Sequence, residues 1–537
     1  MMISALALIS TMAAAGVPRA DSVPLYTNLG NHHHKITTSA PRAQQYFDQG
    51  LRLIYAFNHA EAIASFKQAL RYDADCAMCY WGIAHAYGPN INAGMEPDAG
   101  IEAYAAARKA MSLAAKASPK EQAFIRAIAQ RYAENPVADR ANLDSAFAGA
   151  MREVHRQFPR DEDAAVLYAD ALMNLSPWQY WTAELTPRPG TQEMLDALRP
   201  ITEKNLQHAG ACHLYIHAVE AAFPKRAEPC ADRLAALMPG AGHIVHMPGH
   251  IYIRIGRYAD AIAANRHAIH EDESFIADRN PTGVYPLGYY PHNYHFLNFA
   301  ALMAGNSEVA AQSARDLAAK VDPELLRVPG LSGSLQHYSM APLFTHLRFE
   351  QWQPILAVPA PPADLPYATG LWRYTRGVAH ARSGQAQLAQ AELVELRKLA
   401  ATPELQELYI IGYNSGAAVL ELATEVLAAE VAAANKSWED AARHLQRAGE
   451  LEDAFVYIEP PEWVIPSRHT LGTLMLAANR PADARRAFEQ DLERFPENVW
   501  ALRGLHESLT KLGNTTEAAA VRTRLEKATA GSSHHEH

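Results

Sequence analysis

"GAGHIVHMPGHIYIRIGRYADAIAANRHAI", residues 240–269, has two halves of different character. The second half is an alanine-rich helical pattern entered through a turn at Gly256. That half recurs along the chain, as "FNHAEAIASFKQALRYDAD", "GNSEVAAQSARDLAAKVDP", "KSWEDAARHLQRAGELED", "NRPADARRAFEQDLERFPEN" and "GNTTEAAAVRTRLEKA". Each copy opens on a turn residue, often Gly or Asn, and places an Ala about five positions on. Ala227 and Ala261 are 34 residues apart, as are Ala484 and Ala518. A helical hairpin of this size cannot bury its apolar face alone, so such units stack on one another. An all-α chain of antiparallel helix pairs follows. The first half of the quoted stretch is the anomaly: His243, His246 and His250 crowd one short segment beside Pro248.

The period and layout resemble the tetratricopeptide repeat (TPR), a helix-turn-helix unit. With its "HMPGH" and "PHNYHF" elements, the chain resembles bacterial exported TPR proteins that carry histidine motifs of this type. The resemblance implies a TPR-like α–α superhelix, a solenoid of antiparallel helix pairs. It implies no reaction. In that family, positions 2, 5, 9, 12 and 13 of each first helix face a concave groove where ligands bind. Taking Gly256 as position 15, His243, His246, His250 and Arg254 fall at 2, 5, 9 and 13. Taking Gly305 likewise, His292 and His295 fall at 2 and 5. His213 and His217 fall at 6 and 10, and a one-residue slip in the turn moves them to 5 and 9, with Glu220 at 12. Whatever the slip, His213, His217 and Glu220 share one helical face.

Seven histidines and one glutamate are thus expected at a shared site, and adjacent helices pack closely enough for their imidazoles to meet at one ion. The expected metal ligands are His213, His217, His243, His246, His250, His292 and His295. Neutral imidazoles crowded together gain little until a metal coordinates them. Six or so histidines in two clusters suffice for two ions with three nitrogens each. A donor set of this kind suits copper ahead of zinc, with iron also possible. Copper implies an oxidoreductase. Zinc implies a hydrolase, with Glu220 as the catalytic base. Arg254 is expected to bind an anionic substrate group or a neighbouring carboxylate. Trp178, Trp181, Tyr289 and Tyr290 offer a wall for a small organic substrate or packing for the helices. The rival reading is a non-enzymatic periplasmic adaptor that grips a partner peptide in the groove. No Gly-rich phosphate loop, Gly-x-Ser-x-Gly elbow or His-Glu-x-x-His motif is present.

The 537 residues carry a formal charge of −10 and no basic run, which argues against nucleic acid as a partner. An apolar stretch from Ile3 to about Gly16 leads to small residues near Ala20 and reads as a secretory leader, although no Lys or Arg precedes Arg19. The expected location is periplasmic or secreted, with no stable membrane insertion after the leader is removed. The expected organisation is leader 1–20, arm 21–45, helical repeats 46–200, histidine-rich repeats 201–345, further repeats 346–527 and a flexible tail 528–537. "NHHHK" at 31–35 is expected in a disordered polar arm. "CAMC" at 76–79 reads first as a disulfide at a helix start or as two buried thiols. Cys212 and Cys230 are candidates to pair across a helical hairpin.

Overall fold

The computed structural model describes residues 23–95, 98–135 and 139–532. The expected leader lies outside them, as do the last five residues of the expected tail. The chain is all-α, built from TPR-like pairs of antiparallel helices. Its only strands among the described residues are the two-residue pair Tyr409–Ile410 and Asn414–Ser415. No described helix is long and apolar enough to cross a membrane.

The repeat alanines explain the packing. Ala227, Ala261, Ala310 and Ala484 are fully buried and Ala518 nearly so, where a larger side chain would hold neighbouring helices apart. Glycines do the same work for the large aromatics. Phe66, on the helix His59–Tyr72, lies between Gly50 of the helix Pro41–Tyr55 and Gly82 of the helix Ala77–Tyr87. A Cβ on either glycine would come within 2.5 Å of the Phe66 ring. Phe488 sits in the same way against Gly472 and Gly504. The expected turn residues carry the turns. Gly256 and Gly305 have φ of 81° and 68°, conformations that favour glycine. Asn58, Asn306 and Asn498 cap the helices that follow them, each accepting from a backbone N–H three residues on.

The chain forms two compact units. The first holds residues 23–251 and His267–Tyr290; the second holds Tyr252–Arg266 and residues 291–532. The division therefore falls inside the stretch expected as one histidine-rich block.

In the first unit, the arm is not the flexible segment expected. Val23, Leu29 and Ile36 are buried, and so is His34. The buried carboxylate of Asp163 ties the arm down. It accepts from His32 Nε2 at 2.8 Å, His34 Nδ1 at 2.6 Å, His208 Nε2 at 3.2 Å and the Tyr55 hydroxyl at 2.5 Å. Burial alone would raise this carboxyl, but the three imidazole hydrogen bonds outweigh it and hold it well below its ordinary value. The arm's histidines serve this contact, which its polar composition did not reveal.

The segment 274–290, although rich in Pro, Gly and Tyr, is largely helical. The helix Tyr258–Arg279 continues into it, and a single wide turn at Tyr285–Tyr289 leads to the helix Tyr290–Ala304. At the other end, the helix Thr515–Ser532 reaches into the stretch expected as a tail. Cys76 and Cys79 form a disulfide at the start of the helix Ala77–Tyr87. Cys212 and Cys230 are buried free thiols on neighbouring helices. The hydrogen bond that its own S–H gives to Cys212, then burial, push the Cys230 thiol up.

Candidate metal centre

Five of the seven expected ligands, His213, His217, His243, His246 and His250, come together inside the first unit. His213 and His217 lie one turn apart on the helix Ala209–Val219, which His208 caps by accepting from Ala211 N–H. His243 and His246 belong to the short helix Gly242–His246. The chain then breaks at Met247, and His250 follows on the helix Pro248–Ile255. Pro248 lacks an N–H, so the break leaves no donor unsatisfied there. Gly242 is required by its neighbour: a Cβ on it would collide with the Asp272 carboxylate.

All five side chains are buried, with His213 and His246 at 0% exposure. His213 Nε2, His217 Nε2 and both nitrogens of His243 have no hydrogen-bond partner. One nitrogen from each of these three rings lies within 4.8 Å of the other two. An unsatisfied buried polar group costs about 1–3 kcal/mol. Three of them converging on one point is a costly arrangement unless an ion satisfies all three. Metal–nitrogen bonds of about 2.0–2.1 Å fit a set of this size.

The far sides of the rings are fixed. His213 Nδ1 donates to the Tyr55 carbonyl at 2.7 Å. His217 Nδ1 donates to Glu220 Oε1 at 2.8 Å, and His250 Nδ1 donates to Glu220 Oε2 at 2.5 Å. These bonds leave Nε2 of His213, His217 and His250 as lone-pair donors, the orientation that second-layer partners impose on metal-binding histidines. His250 Nε2 faces His246 Nε2 at 2.9 Å.

The electrostatics agree. Burial, reinforced by neighbouring imidazoles, holds His213 and His243 neutral, well below the ordinary histidine value. Burial also lowers His217, with Glu220 opposing it. Burial would raise Glu220, but His250 and His217 more than offset it and hold the carboxyl at about 2. Glu220 is therefore ionised, with both oxygens engaged by imidazole N–H groups.

Aromatic rings close the site. Phe57 packs 4.5 Å from His213 and 5.5 Å from His243, centroid to centroid. Trp178 meets His217 edge-on at 5.0 Å, and Tyr289 lies 4.7 Å from His243. Trp181 does other work: its Nε1 donates to the Ala218 carbonyl and its ring packs on Phe223. Tyr290 donates to Glu273.

The remaining expected residues belong to the second unit. His292 and His295 lie on the helix Tyr290–Ala304, where His295 packs against His337 and Tyr338. Arg254 has Glu459 within 3.7 Å and sits over the Tyr457 ring, the carboxylate alternative expected for it.

Sequence reasoning missed Phe57, the Tyr55 carbonyl and the Asp163 hub. Phe57 sits in the turn between two helices with a φ of 56°, outside any helical stripe. A backbone carbonyl leaves no signature in a side-chain pattern.

No protein-family model matches the chain, and no curated protein matches it. Solved structures of repeat proteins do. The P58(IPK) TPR domain aligns over 88% of this chain and 99% of its own at 11% identity, with a TM-score of 0.24. The human IFIT1 dimer with m7Gppp-AAAA aligns over 92% of each chain at 13% identity, with a TM-score of 0.31. The APC/C hetero-tetramer Cut9-Hcn1 aligns over 87% of this chain and 76% of that one at 13% identity, with a TM-score of 0.29. These superpositions are loose, and the fold described above rests on the helices themselves.

Proposed function

We propose that this chain is a metalloprotein whose ion is held by His213, His217 and His243, with His246 and His250 as adjoining donors, and that it is an enzyme of the copper-dependent oxidoreductase type. One observation carries the reading: three buried imidazoles present unpartnered nitrogens to one another within 4.8 Å. An all-imidazole donor set suits copper or zinc. The position of Glu220 favours copper. A zinc hydrolase needs a base with a free oxygen near the bound water, and both Glu220 oxygens already accept from imidazoles. Glu220 is thus a positioning residue in this reading.

Copper held by imidazoles supplies one-electron redox chemistry. The protein's part is to fix the nitrogens and exclude water. Tyr55 and Glu220 set the tautomers, and Phe57, Trp178 and Tyr289 surround the rings. An exported location, as the leader suggests, belongs to the same reading.

The test is elemental analysis of the full chain with His534, His535 and His537 replaced by Ala, dialysed against a mild chelator. The expected result is at least one equivalent of copper, lost in His213→Ala/His243→Ala with the helical signal retained. Zinc in its place redirects the reading to a hydrolase. No metal, and none taken up on reconstitution, overturns the metalloprotein and leaves the peptide-binding adaptor as the reading to pursue.

A further inference from the structure

His246 and His250 approach each other across the break at Met247, Nε2 to Nε2 at 2.9 Å, with ring planes 82° apart. Both are buried, at 0% and 1% exposure. They stand apart from the first set of donors. The nitrogens that all lie within 4.8 Å of one another there are those of His213, His217 and His243. Nitrogens bound to one ion lie no farther apart than about 4.2 Å, twice the longer metal–nitrogen bond. One ion in this arrangement therefore does not collect all five imidazoles.

We infer that His246 and His250 hold a second ion, beside the one held by His213, His217 and His243. The inference rests on the metal reading above and adds a second site to it. Two nitrogens bound at right angles to one ion lie about 2.8–3.0 Å apart, and a tetrahedral pair about 3.3–3.4 Å apart. The observed 2.9 Å is the right-angled separation. Right angles between donors belong to square-planar and tetragonal ions, copper(II) foremost, and not to tetrahedral zinc. The same separation suits a hydrogen bond, so the pair is already drawn together before an ion arrives. Glu220 ties the two sets to each other. Its Oε1 accepts from His217 Nδ1 of the first set and its Oε2 from His250 Nδ1 of the second. One carboxylate thus leaves Nε2 as the metal-binding nitrogen of a ring in each set. The sets are neighbours: the His217 and His250 ring centroids lie 5.5 Å apart, and those of His243 and His246 5.9 Å apart. Two copper ions so placed take up two electrons together, where a single ion takes up one.

The experiment loads the full chain, with the three tail histidines replaced by Ala as above, with copper(II) and dialyses it against a mild chelator. Copper per chain and the electron paramagnetic resonance spectrum are measured on the same samples. Two equivalents are expected, with a spectrum broadened by the neighbouring ion. His246→Ala leaves Glu220 both of its imidazole donors and removes one of the two ligands. It is expected to hold one equivalent and to give the sharp spectrum of an isolated ion. Copper held elsewhere, at the arm's histidines for instance, would survive this change. Should that variant fail to fold, His246→Gln keeps more of the volume, and the broadening in the parent chain needs no variant. One equivalent in the parent, two retained in the variant, or the spectrum of isolated ions from two equivalents overturns the inference. The two readings fail separately. A chain that takes up no metal overturns the metalloprotein itself. One equivalent that is lost in His213→Ala/His243→Ala and indifferent to His246→Ala overturns the second ion alone.

Discussion

His213 Nδ1 donates to the backbone carbonyl of Tyr55 across 158 residues of sequence. The same tyrosine donates its hydroxyl to Asp163, the carboxylate that anchors the arm. One residue thus joins the arm's anchor to a proposed metal ligand. Asp163→Asn removes the charge that three imidazoles and this hydroxyl face. Breaking a buried charge network by removing one partner costs about 3–5 kcal/mol. The expected outcome is a thermal midpoint lowered by several degrees and faster protease cleavage within residues 23–40. Cleavage at the wild-type rate would contradict the anchoring role.

The arm's anchor also has a pH window. Asp163 is held below its unfolded value, so its contribution is present above about pH 4 and is lost as pH falls through the folded value. His32 runs the other way. Burial lowers it, but Asp163 raises it more, to a net value above the ordinary one. Its contribution is complete below about pH 6.5 and is lost as pH rises through the folded value. Hydrogen exchange of residues 23–40 is expected to be slowest in the mildly acidic range and faster on both sides. His32→Gln should remove the loss on the alkaline side only.

Glu220→Gln keeps one acceptor and replaces the other with an amide donor. One of His217 and His250 must then turn its tautomer around. Second-layer changes of this kind cost about 10–100-fold in metal affinity. Chelator competition on the purified variant is expected to show a loss of that size with the helical signal intact. An unchanged affinity would remove Glu220 from the positioning role.

Glu462, in the second unit, is buried, and burial lifts its carboxyl to about 7 despite a hydrogen bond from Asn414. Its folded value lies above its unfolded one, so stability is highest below about pH 4 for this group and declines as pH rises through 7. The decline amounts to about 3 kcal/mol on an order-of-magnitude basis. Glu462→Gln is expected to raise the thermal midpoint at pH 8 and to leave it nearly unchanged at pH 4.5. Chemical denaturation at the two pH values reads the difference.

Gly82→Ala places a methyl group against the Phe66 ring, where the added Cβ would lie 2.5 Å away. Overpacking of a filled core costs about 1–3 kcal/mol. Phe66→Leu in the same chain is expected to recover part of that loss, because the smaller side chain vacates the contested space. A double-mutant cycle in denaturant measures the coupling.

Much of this architecture was legible because it repeats. Ala261, Ala484 and Ala518 recur at fixed offsets from their turns, and burial is what fixes those offsets. The histidines were legible for the same reason. A helical register predicts which side chains share a face, and His243, His246 and His250 do lie beside His213 and His217. It could not anticipate the break at Met247 or the Tyr55 carbonyl. Nor did the spacing of "NHHHK" show that His32 and His34 belong to Asp163, more than a hundred residues on. Contacts made by turns, by backbone atoms and by distant carboxylates have no period, and periodicity is what a single sequence displays best. The turn at Tyr285–Tyr289 has the same origin: Pro286 and Gly288 are the residues of a loop, yet Tyr289 packs on His243 and Tyr285 on Phe275.

The burial of His213, His217 and His243 bears on time as well as on affinity. Side chains exposed by 3% or less give a chelator no direct route to an ion they hold. Exchange must then wait for the surrounding structure to open, and such openings have their own free energies, set by local contacts. The rate at which the ion leaves would therefore saturate at high chelator concentration. Its ceiling would measure how often the fold breathes around the site, a clock set by the arm and the aromatic lining rather than by the strength of any metal–nitrogen bond.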